Sequence, residues 1–338
     1  MKATLLTLLS FTLLAGFAEA QNAAPERKPS DGPFPPAMIR PGGMIIPLFP
    51  PNSPLLKKER IHEAEKYNSA SKGTGPIINV INIHNPSIEV HLAKDRSLNG
   101  AAMIVAPGGG HKILWVGPEG ADYIEANDKL GVSTIILRNR LRVDGYEPTI
   151  DAVNDAFQAI RIVRSHAAEW GLDPNKIGIV GFSAGAELSS PTAVFFEEFQ
   201  KKNSDPADPL SKVSARPDFV GVIYPGPTPF TKAPETAIPA NVPPSFVACG
   251  GSGDRVHALW AMDYCNAMLK ASVPNIELHI YGRGGHPIKR SDAPDAIPSG
   301  KWFERFTDWF TDLGFLGKPG VETKAAKELA AYAKKAKK

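Results

Sequence analysis

At 338 residues, 43% hydrophobic and 22% charged, the chain has ordinary globular composition and is longer than one small domain needs. Its net charge of +3 is small for this length and gives no reason to expect nucleic-acid binding. Past residue 20 no stretch is long and apolar enough to span a membrane.

The first twenty residues read as a signal peptide. Lys2 is followed by an apolar run from Leu5 to Phe17 and by Ala18-Glu19-Ala20, a small-x-small cleavage site before Gln21. The expectation is an exported protein, secreted or periplasmic. Export permits a disulfide between the two cysteines, Cys249 and Cys265; two buried free thiols are the alternative. Residues 21–75 form a proline-rich arm that is barred from central strands because proline lacks an amide donor. Within the arm, Lys57 to Ala70 is expected to be helical.

From Pro76 the pattern becomes regular. Pro76 to Ile83 and Ile88 to Ala93 alternate like an antiparallel hairpin at a sheet edge. Ala101 to Ala106, Val132 to Leu137, Lys176 to Gly181, Phe219 to Tyr224, Ser245 to Cys249 and Ile276 to Tyr281 are short apolar runs, as expected of strands covered on both faces. Helical patterns lie between and after them: Ile150 to Trp170, Gly185 to Lys201, His257 to Lys270 and Trp302 to Leu313. The alternation predicts an α/β fold with a mostly parallel central sheet and helices on both faces. This body is expected over residues 76–318. A basic, Ala- and Lys-rich tail, 319–338, follows, expected to be solvated.

Gly181-Phe182-Ser183-Ala184-Gly185 fits G-x-S-x-G and stands between a strand and a helix. Such a turn is so sharp that the serine backbone is strained and the glycines must lack side chains. Ser183 is the expected nucleophile, and the Ala184 amide an oxyanion donor. Pro107-Gly108-Gly109-Gly110-His111 follows another strand. Three glycines are costly in entropy and make sense where amides approach a ligand closely, so Gly109 and Gly110 are the other expected donors.

A serine hydroxyl needs a base. Of the histidines after Ser183, His286 alone sits in a glycine-rich loop leaving the last strand, where this architecture puts its base. The acid should leave the preceding strand, which selects Asp254 over Asp263. Candidate pocket residues are His111, Trp115, Glu187, Tyr224 and His257, the last expected at the rim. Neither metal nor cofactor is expected, because the triad supplies the chemistry.

These motifs, with Asp151-Ala-Val-Asn-Asp155 and Ile160-Arg-Ile-Val-Arg164, resemble secreted bacterial proteins of the α/β-hydrolase fold akin to acetyl-xylan esterases, bacterial feruloyl esterases and the hormone-sensitive-lipase group. The resemblance covers roughly residues 76–316. It implies cofactor-free ester hydrolysis, often removing acetyl or feruloyl groups from plant polysaccharide. The implied partner is a small-molecule or polysaccharide ester. Two positions depart from the pattern: His111 stands where relatives often have Tyr or Trp, and Ala186-Glu187 where they often have Gly-His. A serine exopeptidase of the same fold and a non-catalytic carbohydrate-binding or adhesion protein are the alternative readings.

Overall fold

The computed structural model describes residues 32–71, 75–205, 208–291, 293 and 298–336. The expected signal peptide lies outside them. Ten strands form: β1 (Met44–Pro47), β2 (Lys66–Ser69), β3 (Ile77–Ile81), β4 (Ser87–His91), β5 (Ala102–Ala106), β6 (Ser133–Arg138), β7 (Ile177–Phe182), β8 (Val220–Ile223), β9 (Ser245–Gly250) and β10 (Ile276–Tyr281). The α-helices are α1 (Ile124–Lys129), α2 (Val153–Ser165), α3 (Ala167–Trp170), α4 (Ala186–Thr192), α5 (Phe196–Lys202), α6 (Pro229–Lys232), α7 (Arg255–Lys270), α8 (Trp302–Asp312) and α9 (Lys324–Ala336).

Eight strands make one sheet in the order β1-β4-β6-β5-β7-β8-β9-β10. From β6 to β10 all neighbours run parallel, and β4 is antiparallel to both β1 and β6. The apolar runs read as doubly covered strands are so in β5, β6, β7, β8 and β9, where every residue is buried. Helices α2 and α4 pack on each other and against β5 and β7, while α1 packs on β6 and α8 on β9. Phe219 and Phe246 project from the sheet into an aromatic cluster with Phe306, Phe310 and Trp309 of α8. From β5 the chain goes to β6 on one side, then returns past β5 to β7 on the other. The crevice at the carboxyl ends of β5 and β7 is therefore the topological switch point, where ligands bind in open α/β sheets.

Four local expectations are revised. The Pro76–Ala93 hairpin does not form: β3 pairs with β2 in a separate two-stranded sheet, while β4 is inserted between β1 and β6. The connection is drawn inward, with Ile83 and His84 buried and the Ile83 amide donating to Asp144. Lys57 to Ala70 is not helical, because Lys57 and Arg60 are tied to the carbonyls of Gly145 and Asp144 and the segment ends in β2. The Ile150–Trp170 helix is interrupted at His166, and the Gly185–Lys201 helix breaks after Thr192, where Pro191 cannot donate to the preceding turn.

The proline-rich arm is built into the sheet through β1, an edge position with Pro47 at its end. Arg138, fully buried, binds Glu65 and Glu89, and Arg140 binds Asp155 and the Leu55 carbonyl. The arm is thus fastened by the buried Arg138–Glu65 ion pair and by the Arg140 hydrogen bond to Leu55. The basic tail forms α9, with Ala325 buried and the Tyr332 hydroxyl donating to the Ala271 carbonyl. Among the described residues no helix is long and apolar enough to cross a membrane.

Candidate active site

Ser183 stands on the turn between β7 and a short 3-10 segment leading into α4, with φ +51°. The left-handed region is costly for serine and persists because its surroundings leave no alternative. A Cβ on Gly181 would lie 2.2 Å from the Gly185 carbonyl oxygen, and one on Gly185 only 1.9 Å from that of Ala106. The two glycines of G-x-S-x-G are therefore steric requirements of the elbow.

Ser183 Oγ is 3.1 Å from His286 Nε2, and His286 Nδ1 is 3.0 Å from Asp254 Oδ2. The Asp254 side chain is buried, and that of His286 is 31% exposed. Their loops are stapled together: Gly251 N–H donates to the Tyr281 carbonyl and Ser252 N–H to that of Gly282. A Cβ on Gly250 would come within 2.4 Å of the Gly284 oxygen, and one on Gly253 within 2.8 Å of it, so the close approach of the two loops requires glycine at both positions. Asp263 instead accepts from the Thr231 hydroxyl.

His257 belongs to this constellation and not to the rim. Its Nδ1 bonds Asp254 Oδ1, and its ring stacks on His286. Asp254, His257 and His286 present ligand atoms within 4.8 Å of one another, a grouping that a metal ion could use among the described residues. Both imidazole Nδ1 atoms already bond the carboxylate.

Gly109 (φ +131°) and Gly110 (φ +62°) line the cavity in front of Ser183. A Cβ on Gly109 would fall 1.9 Å from the Ile113 oxygen. The loop folds back on itself: Lys112 N–H donates to the Gly109 carbonyl and Trp115 N–H to that of Gly108. Ala184 follows Ser183 at the start of the 3-10 turn, where amides have no partner within the helix.

The cavity has a volume of about 830 Å³. Ser183, His286, Trp115 and Tyr224 line it, as do Tyr123 and Glu119. His111 and Glu187 do not: they face each other, Nε2 to Oε1 at 3.4 Å, with His111 buried behind the glycine loop at φ +58°. Glu119 escaped sequence reasoning. Its Oε2 accepts from Gly108 N–H (2.7 Å) and its Oε1 from the Tyr224 hydroxyl (2.9 Å). Burial pushes its carboxyl pKa up. In sequence it is one acid in a Gly-Pro turn, with no periodicity to separate it from a solvated one.

A serine on a strand-to-helix turn, with an aspartate and a histidine following in that chain order on the loops after later strands, is the arrangement of the α/β-hydrolases, and this chain has their fold. A family model described as BD-FAE matches residues 126–250, which include Ser183 but neither Asp254 nor His286. The chain is similar to an acetylxylan esterase of Xylanibacter ruminicola, 33% identical over 127 residues, 38% of this chain and 23% of that protein. It is also similar to endo-1,4-beta-xylanase B of Butyrivibrio fibrisolvens, 28% identical over 170 residues, 50% of this chain and 24% of that one. The chain thus spans about a quarter of the length of the curated relatives it matches. Among solved structures, an acetyl ester-xyloside bifunctional hydrolase from Caldicellulosiruptor lactoaceticus superposes with a TM-score of 0.59 at 27% identity, over 69% of this chain and 90% of that one. Two of these proteins are named for acetyl-ester hydrolysis and one for xylan cleavage.

Proposed function

We propose that this chain is an exported serine carboxylic-ester hydrolase that removes short acyl groups, such as acetyl, from a polysaccharide or oligosaccharide. The observation that carries the reading is the unbroken relay from Asp254 through His286 to Ser183 Oγ, which ends at the wall of the cavity.

In this reading His286 Nε2 takes the Ser183 proton as Oγ attacks the ester carbonyl. Asp254 holds the imidazole in the required tautomer and stabilises the imidazolium. The tetrahedral oxyanion is met by the amides of Ala184 and of Gly109 or Gly110, preorganised donors that need no reorganisation as charge develops. The alcohol leaves with the proton from His286. Water, deprotonated by the same histidine, then releases the acid from the acyl-enzyme. The substrate class rests on the names of the relatives and on Trp115, whose partly exposed indole offers a flat apolar face to a sugar ring at the cavity. Export rests on the N-terminal pattern.

The test is hydrolysis of p-nitrophenyl acetate, butyrate and octanoate by the purified protein and by Ser183→Ala. Turnover that favours acetate and falls by several orders of magnitude in the variant supports the reading. Two folded proteins without turnover, or a variant with near-normal activity, would overturn it.

A further inference from the structure

Glu119 occupies an unusual place for a carboxylate. It is half-buried beside the nucleophile, close enough that a Cβ on Gly108 would lie 2.9 Å from its Oε2 and 2.9 Å from Ser183 Cβ. Burying an acid is costly unless its lone pairs are satisfied. Here two donors from different loops satisfy it, the Gly108 amide after β5 and the Tyr224 hydroxyl after β8. Tyr224 is itself buried, in the left-handed region at φ +37°, with its ring edge-on to His286 at 5.0 Å between centroids. The Glu119 backbone is also registered on the glycine loop: its amide donates to the Trp115 carbonyl, and the Trp115 amide to that of Gly108.

These contacts converge on one consequence. The Gly108 amide is held by Glu119, while the next two residues, Gly109 and Gly110, line the cavity. We propose that Glu119 is a positioning residue that fastens the glycine loop to the β8 loop, so that the Gly109 and Gly110 amides stand in place before the oxyanion forms. This rests on the esterase reading given above. A carboxylate suits the task because it only accepts, and its two oxygens serve two donors at once. Glycine at 108 suits it because any side chain there would strike Glu119 or Ser183. The negative charge itself opposes a nearby oxyanion, so the geometry of the contact, and not its charge, is what favours the reaction.

Glu119→Ala, Glu119→Gln, Tyr224→Phe and the double variant Glu119→Ala/Tyr224→Phe test this with p-nitrophenyl acetate kinetics, thermal melting and hydrogen exchange of the peptide containing residues 106–116. Misplacing oxyanion donors should lower kcat by about 10- to 100-fold in Glu119→Ala, with KM changed less than about threefold. Amide exchange in that peptide should rise. Glutamine keeps an acceptor for Gly108 and should restore kcat to within about threefold of wild type. Tyr224→Phe should cost less than Glu119→Ala and add nothing to it, because the hydroxyl acts through the carboxylate. An unchanged kcat in folded Glu119→Ala overturns the proposal, as does a loss that glutamine does not rescue or one without faster exchange in the loop. A wild-type protein without ester turnover whose loop still loosens in Glu119→Ala would reject the esterase reading and leave the anchoring in place.

Discussion

The imidazole of His257 lies on that of His286, with centroids 4.1 Å apart and 18° between the ring planes. Both rings reach the same carboxylate, one through each oxygen of Asp254. His257 therefore fixes the rotation of the Asp254 carboxylate and covers one face of the His286 ring. His257→Ala should leave Ser183 and His286 in contact yet lower kcat about tenfold, the effect of roughly 1.4 kcal/mol lost from one charge-assisted hydrogen bond. His257→Asn, which retains a donor, should recover part of that. Steady-state kinetics on p-nitrophenyl acetate decide it, and equal activity in all three proteins would show that Asp254 is held without His257.

Gly185 of the elbow and Gly110 of the glycine loop are glycine for different reasons. Gly185→Ala forces a Cβ to within 1.9 Å of a backbone oxygen, so the turn must open; destabilisation of about 3 kcal/mol or failure to fold is expected. Around a Cβ on Gly110 nothing lies within 4 Å, and only its φ of +62° resists, at about 1–2 kcal/mol. Thermal melting should rank Gly110→Ala well above Gly185→Ala, and the reverse order would contradict the packing described.

Cys249 and Cys265 are both free and buried. Burial, with Asp254 near the first and the other thiol near the second, pushes each up to about 12. Since the thiolate is the reactive form, neither should react with a thiol reagent at pH 8 in the native protein, and both should react once it is denatured. A native protein that gives no free thiol even after denaturation would instead reveal a disulfide.

Glu63 is lowered to about 2, first by its hydrogen bond from Arg60 and further by that from Asn82. A depressed carboxylate stabilises the fold above its unfolded pKa, near 4.3, and that contribution is lost as pH falls through about 2. The side chain is about a third exposed, so solvent screening limits the effect to at most about 1 kcal/mol. Denaturation of wild type and Glu63→Gln should differ at pH 6 and converge near pH 2. A gap that widens with acidification would reverse the assigned sign.

The elements that sequence reading located are those whose demands are local. A strand covered on both faces needs an apolar run, and β5 through β9 show one; a left-handed serine needs small neighbours, and Gly181 and Gly185 are adjacent to it in the chain. Ser183, Asp254 and His286 could be picked out because each ends a strand in a glycine-rich turn, and the structure brings the three together. Where a partner lies far along the chain, spacing was silent or misleading. The alternation at residues 76–93 suggested a hairpin, but β4 takes Arg138 of β6 as the partner of Glu89, 49 residues on, and leaves β3 to β2.

By itself, then, the sequence determined the α/β class, the order of the strands along the chain, the sharp turn at Gly181–Gly185 and the glycine loop, because backbone sterics and hydrophobic period act between near neighbours. Only the tertiary structure decided that the arm supplies an edge strand, that His111 and Glu187 face each other away from the cavity, that His257 and His286 share the Asp254 carboxylate and that Glu119 joins two loops. These depend on which donors and acceptors meet across the sheet, 105 residues apart for Tyr224 and Glu119. A buried polar group is satisfied by whatever lies nearest in space, and no local pattern encodes that.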